Sequence, residues 1–307
     1  MTAITRRRAS SRATMADRGI VSAADRRDRR TRWGLRALQG ATLVFLLVVG
    51  LGPVLWMIKS SVTATQDTLR TPLALWPHGI DLGQLATAWS RTHIDQYLVN
   101  TVVIAAGSWV AQLIIATTGG YALSVLRPRF GGVITGLVLA TLFVPPIVLL
   151  VPLYLTIVDV PLVHARLIDN YWAIWLPAGA SAVNVVLVKR FFDNLPRELF
   201  EAARIDGAGS VRLFFTIVLP LSKPILGVVS IFAILAEWRN FLWPYLVLTN
   251  SPDRQPLSVR LPAIQAQTQL GVLLAAMLIA ALVPILAFLV FQRTFIRGQG
   301  FSGALKG

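Results

Sequence analysis

Residues 97–126 run without a single charged side chain. A bilayer core is about 30 Å thick, and a helix needs about 20 apolar residues to cross it. Five further windows have the same character: 41–58, 130–158, 171–188, 224–248 and 270–291, with only Glu237 and Arg239 interrupting the fifth span. Runs of this length in a chain with 14% charged residues and a mean hydropathy of +0.65 exclude an ordinary soluble domain. They predict an all-α integral membrane protein with six transmembrane helices. There is no cysteine, so neither disulfides nor thiolate metal sites enter the reading.

The net charge of +15 invites a nucleic-acid reading, but its placement argues against one. With the amino terminus inside, the inside segments hold 22 Lys and Arg against 7 acids, whereas the outside segments hold six of each. The whole excess lies on one side, as the positive-inside rule requires. The charge therefore reports topology and attraction to anionic membrane lipid, with both termini cytoplasmic. Eleven arginines precede the first span. Arg26-Arg27 and Arg29-Arg30 have a twin-arginine look, but no small-residue cleavage site follows, so the first helix is expected to stay uncleaved. Residues 1–32 read as a disordered basic tail and 33–307 as the membrane domain.

A polar loop, ELFEAARIDGAGSVRLFFTIVLP, interrupts this apolar chain at 198–220. Pro196 suits a helix first turn, and Glu198 and Glu201 suit the positive end of its dipole. Leu195, Leu199, Ala202 and Ala203 make a narrow apolar stripe. Gly207 is placed to end the helix in a left-handed conformation. Ser210 is expected to cap a second helix that carries Leu213, Phe214 and Ile217 and closes at Pro220. A first helix of about 12 residues is marginal in water, so something must hold it. Either it folds back on its own membrane domain, or Ala202 and Ala203 admit a partner's surface while Glu201 and Arg204 orient it.

The run EAARIDGAGSVRLFFTIVLP resembles the EAA loop of ABC-importer permeases. Glu201-Ala202-Ala203 is followed, after Arg204, Ile205 and Asp206, by Gly207; after nine intervening residues comes Ile217 and, one residue further on, Leu219-Pro220. NYWAIWLP, KRFFDNLPREL, EWRNFLWP and FQRTFIRGQGFSGALKG resemble the maltose-type, carbohydrate-uptake branch of that family. The resemblance implies a type I ABC-importer permease fold in a prokaryotic plasma membrane. Its coupling loop, about 195–223, would dock on an ATPase through Glu201, Ala202, Ala203, Arg204, Asp206, Gly207, Ile217, Leu219 and Pro220. It also implies a second homologous permease subunit, an ATP-binding cassette ATPase dimer holding the ATP and Mg, an extracytoplasmic solute-binding protein and a sugar substrate. Where the family commonly has Trp-Asn-Asp-Phe, this chain has Trp238-Arg239-Asn240-Phe241.

Ionisable groups inside a span are costly and mark candidate pathways. Glu237 and Arg239, read as a pair, join Trp238, Asn240, Trp243 and Asn100 as candidates to line a solute path. For Asn100 the competing reading is helix–helix hydrogen bonding. His78, His93 and His164 fall in outside loops without ligand spacing. No phosphate loop or nucleophile elbow occurs, so this chain is expected to bind no cofactor and catalyse nothing. Two alternatives stay open: an ABC permease for a phosphorylated polyol, polyamine or amino acid, and an ion-coupled secondary transporter.

Overall fold

The computed structural model describes residues 29–74, 76, 77 and 79–299. The basic tail before Arg29, His78 and the FSGALKG terminus lie outside these residues. Every regular element among the described residues is helical, apart from one antiparallel bridge between Val160 and Ala165.

Helix α1, Arg29–Ser61, is already formed at Arg29, four residues inside the expected tail. Its Leu43, Phe45, Val48 and Leu55 are more than half exposed, as a lipid-facing helix requires. Among the described residues, those up to Lys59 form one compact unit and those from Ser60 onward another.

Within the second unit, two short helices, α2 (Thr65–Arg70) and α3 (Gly83–Arg91), precede the long α4 (Ile94–Tyr121), which ends in a π-turn over Ala122–Leu126. Then come α5 (Gly131–Thr141), α6 (Leu150–Val158), α7 (Trp172–Gly179) and α8 (Ala182–Asp193). The polar loop supplies α9 (Arg197–Ile205), α10 (Ser210–Leu213) and α11 (Leu219–Leu221). The chain closes with α12 (Lys223–Trp238), α13 (Leu242–Val247), α14 (Leu257–Gln265) and α15 (Leu270–Gln299).

Arg29–Ser61 and Ile94–Leu126 are long and apolar enough to cross a bilayer unbroken. The third and fourth spans are broken, α5 against the 146–158 segment by 98° and α7 against α8 by 43°. The fifth begins at Lys223, where the chain turns 78° out of the Ser210–Leu221 segment. With α15, the described residues hold the six expected membrane segments. The breaks follow from prolines and polar residues. Pro145 is extended and Pro146 starts a 3-10 turn, so the helix cannot run through them. Pro152, expected to kink the same span, instead sits in the first turn of α6, where its missing N–H costs nothing. The fifth span, expected to be continuous to residue 248, stops at Trp238 and resumes at Leu242.

α4 is the hub. Buried in apolar surroundings, polar side chains must find partners, and here they clamp neighbours: Asn184 Nδ2 on α8 donates to Gln112 Oε1 at 2.7 Å, and Trp109 Nε1 donates to Ser230 Oγ on α12 at 2.7 Å. Close approach is set by glycines. A Cβ on Gly107 would overlap the Trp175 indole, and one on Gly120 would lie 2.9 Å from Val188 Cγ1.

Candidate coupling loop and solute cavity

The polar loop is built as a rigid elbow. Pro196 is the N-cap rather than a helical residue, and α9 holds nine residues, fewer than its sequence pattern implied. Gly207 has φ +76°, its N–H donates to the Arg204 carbonyl at 3.0 Å, and Ala208 N–H donates to the Ala203 carbonyl at 2.9 Å. This is a Schellman stop, complete with the accompanying apolar contact, because Ala208 and Ala203 share one cluster. Ser210 does not cap the second helix; Gly209 occupies that place, without a side-chain bond. Pro220 does not close that helix either. A π-turn over Phe214–Val218 lets the backbone run on past the proline, and the break comes at Ser222.

The apolar stripe splits between two faces. Phe200 and Ala203 turn inward and are buried with Val188 and Phe192 of α8, Leu213, Phe214, Val218, and Val229 of α12. Leu199 and Ala202, expected on that stripe with Ala203, are exposed on the other side, next to Ile205 at 86% exposure. Phe200 is one position beyond Leu199, and its larger surface wins the inner place. The loop is pinned further by the Tyr121 hydroxyl, which donates to the Ser210 carbonyl at 2.8 Å, and by the Tyr121–Phe214 ring contact at 5.0 Å. Asp193 accepts from Ser124 Oγ at 2.7 Å and pairs with Lys189 at 2.8 Å, tying the end of α8 to the turn after α4. Glu201, Ala202, Arg204, Asp206 and Pro220 face outward, whereas Ala203 is buried and Ile217 and Leu219 are half-buried.

The second site lies where three interrupted helices meet. A cavity of about 420 Å³ is lined by Pro146, Ile147, Leu150 and Leu153 from the third span, Ile174, Pro177 and Ala178 from the fourth, and Glu237, Asn240, Leu242 and Trp243 from the fifth. Pro177 has no N–H, which leaves the Ala173 carbonyl without its helical donor. Trp243 Nε1 takes that place at 3.0 Å, fixing the indole on the cavity wall. Glu237 is buried at 9% exposure and accepts one hydrogen bond, from Asn240 Nδ2 at 3.3 Å.

Of the six sequence-predicted pathway residues, the structure brings together Glu237, Asn240 and Trp243. The other three point elsewhere. Arg239 is not paired with Glu237: its Nε donates to the Leu235 carbonyl at 3.4 Å and the side chain is exposed. Two residues along a helix are about 200° apart, so the two charges cannot share a face. Trp238 packs against Ala88, Ile94, Tyr97 and Val272 in a separate cluster. Asn100 is a staple: Nδ2 donates to the carbonyls of Asp253 (2.6 Å) and Gln255 (3.1 Å), and Oδ1 accepts from the Tyr171 hydroxyl at 3.0 Å. Among the histidines, His164 Nδ1 lies 3.1 Å from Asp159 Oδ1 on an exposed loop, and His93 is the left-handed residue that precedes α4. The wall supplied by Pro146, Leu150 and Pro177 was missed; the proline positions were its only sequence signal.

Interrupted spans around an open cavity, with a pinned helix–glycine–helix loop, define a membrane transport subunit. The chain belongs to the family described as binding-protein-dependent transport system inner membrane component, which matches residues 113–298. It is 32% identical over 296 residues to a diacetylchitobiose uptake system permease protein of Streptomyces coelicolor, covering 94% of this chain and 93% of that one. It is 31% identical over 282 residues, 91% of each chain, to a probable ABC transporter permease protein of Bacillus subtilis. An sn-glycerol-3-phosphate transport system permease protein of Pectobacterium atrosepticum is 32% identical over 270 residues, 82% of this chain and 93% of that one. In fold, the chain matches a subunit of a crystallised bacterial ABC transporter involved in the import of the acidic polysaccharide alginate, with a TM-score of 0.76 at 22% identity, covering 87% and 98% of the two chains.

Proposed function

We propose that this chain is the permease subunit of an ATP-driven importer of a sugar or short oligosaccharide, worked from the cytoplasm through residues 195–223. Its termini lie in the cytoplasm and its broken spans surround the solute. A second, homologous permease completes the pore, an ATPase dimer holds the ATP and Mg, and an extracytoplasmic binding protein delivers the solute. This chain catalyses no reaction itself.

The observation that carries the reading is the division of labour on α9. One face is locked into the cluster shared with α8 and α12, and the other presents Leu199, Glu201, Ala202 and Ile205 to a partner. A short helix that is anchored inside and exposed outside converts a push on its outer face into a tilt of the helices it is anchored to. ATP-dependent closure of the ATPases would thus shift α12, whose far end carries Glu237 on the cavity wall, and α8, which follows directly on the cavity-lining α7, and so alternate access to the cavity. The carbohydrate assignment is supported by the diacetylchitobiose permease among the relatives and by the pairing of an indole with hydrogen-bonding groups on the cavity wall.

The test is to purify the tagged chain in mild detergent with its co-expressed neighbours, beside Glu201→Lys. A second permease and an ATPase should co-purify, and the ATPase should be lost in the variant while the permease pair survives. Uptake that persists under ATP depletion and collapses with an uncoupler would overturn this reading in favour of an ion-coupled transporter.

A further inference from the structure

We infer that Glu237 makes the membrane cavity a charge filter, admitting neutral or cationic solutes and rejecting anionic ones such as uronic acids and phosphorylated polyols. The inference deepens the proposed function and rests on the 420 Å³ cavity being the solute passage.

The composition of the wall carries it. None of the eleven lining residues is a lysine, arginine or histidine, and Glu237 is the one ionisable group among them. Its carboxylate has no ion-pair partner among the described residues. The nearest basic residue in sequence, Arg239, faces away with its Nε on the Leu235 carbonyl. The other lining groups are neutral: prolines, aliphatic side chains, an indole whose N–H is already used, and the Asn240 amide. In its ionised form, a single carboxylate among walls of low polarity repels an anion across the cavity, because little there screens it. An anion entering would meet repulsion from this wall and no compensating cation on it, since phosphate and carboxylate recognition draws on arginine or lysine forks.

What the wall does offer suits hydroxyl groups. Glu237 accepts, Asn240 both donates and accepts, and the two lie 3.3 Å apart, close enough to engage adjacent hydroxyls of one ring. An ammonium group on an amino sugar would gain from the same carboxylate. Solutes such as sn-glycerol-3-phosphate, named for several relatives, and alginate, named for the structural neighbour, would find no cationic group on this wall, so a filter of this sign would set the chain apart from those proteins.

Because the chain has no native cysteine, the potential in the cavity can be read directly. A thiol is placed on the wall by Ala178→Cys, with Leu153→Cys as the second position, in the importer assembled with its partners in native membranes. Cationic trimethylammonium-ethyl and anionic sulfonatoethyl methanethiosulfonates are applied, with and without ATP and vanadate. Labelling of the tagged chain is followed by mass, and each rate is normalised to that of a free thiol. The expected result is a preference for the cationic reagent on the order of tenfold, falling to near parity in the Glu237→Gln background.

Equal rates for the two reagents would overturn the charge filter and leave the passage reading standing. A cationic preference that survives Glu237→Gln would overturn the assignment to this residue. Absence of labelling at both positions in every nucleotide state, in properly inserted protein, would overturn the passage reading and the filter with it.

Discussion

Replacing Gly207 separates backbone conformation from steric fit at the coupling loop. Its φ of +76° is the left-handed region, and a Cβ built there meets nothing within 4 Å in this chain. Alanine therefore adds no clash, only the backbone penalty of roughly 1–2 kcal/mol that a side chain incurs in that conformation. Asparagine tolerates the left-handed region better and should cost less, although it is larger. Proline fixes φ near −65° and deletes the N–H that bonds the Arg204 carbonyl, so it cannot form the stop at all; about 3 kcal/mol or more is expected. The nine residues of α9 are too few to be stable alone, so each kilocalorie weighs directly on the docked geometry. Initial uptake rate, normalised to the amount of chain in the membrane, should fall in the order Gly, Asn, Ala, Pro, with ATPase retention following the same order. A steric origin would invert the middle pair. Asparagine performing worse than alanine would refute the conformational argument and show that a partner's surface fills the space at Gly207.

Three other substitutions test the packing. Phe200→Ala removes the inward anchor of α9 and should lower detergent thermal stability by about 3–5 kcal/mol equivalent, with uptake lost; unchanged melting would mean the anchor is not buried in the assembled protein. A side chain at Gly271 would overlap the Gln84 amide, so Gly271→Ala should disturb the α3–α15 contact, and adding Gln84→Ala should restore stability, as read by size-exclusion monodispersity after heating. Trp243→Phe strands the Ala173 carbonyl and should cost about 1–3 kcal/mol, but much less in a Pro177→Ala background, where a main-chain N–H is available again; additive losses in the double-mutant cycle would contradict that bond.

What was readable in the sequence divides along physical lines. The six membrane segments were legible because each is a contiguous apolar run, and the helix–glycine–helix elbow because Gly207 sits at fixed spacing from Glu201, Ile217 and Pro220. The orientation of α9 was not. Leu199 and Phe200 are adjacent, both apolar, and only packing against α8 and α12 decides which goes inside. The role of Asn100 depends on carbonyls more than 150 residues away, which no local pattern encodes. Glu237 and Arg239 looked like a pair because opposite charges two apart invite pairing, whereas helical geometry sends them to different faces. The π-turn before Pro220 was hidden because Phe-Phe-Thr-Ile-Val has no composition distinct from ordinary helix.

One helix carries a consequence for the assembled machine. α12 is an unbroken rod of 16 residues, about 24 Å long at 1.5 Å per residue, with Val229 of its lower half in the cluster that anchors α9 and Glu237 at its upper end on the cavity wall. Any displacement that couples one end to the other does so symmetrically, because equilibrium coupling between two sites is reciprocal. A solute that settles against Glu237 and thereby favours one tilt of the rod must alter the affinity of the coupling loop for its partner by the same factor by which that partner alters the affinity for the solute. If the loop docks the motor and the cavity holds the cargo as proposed, the helix lets each grip be measured from the other end.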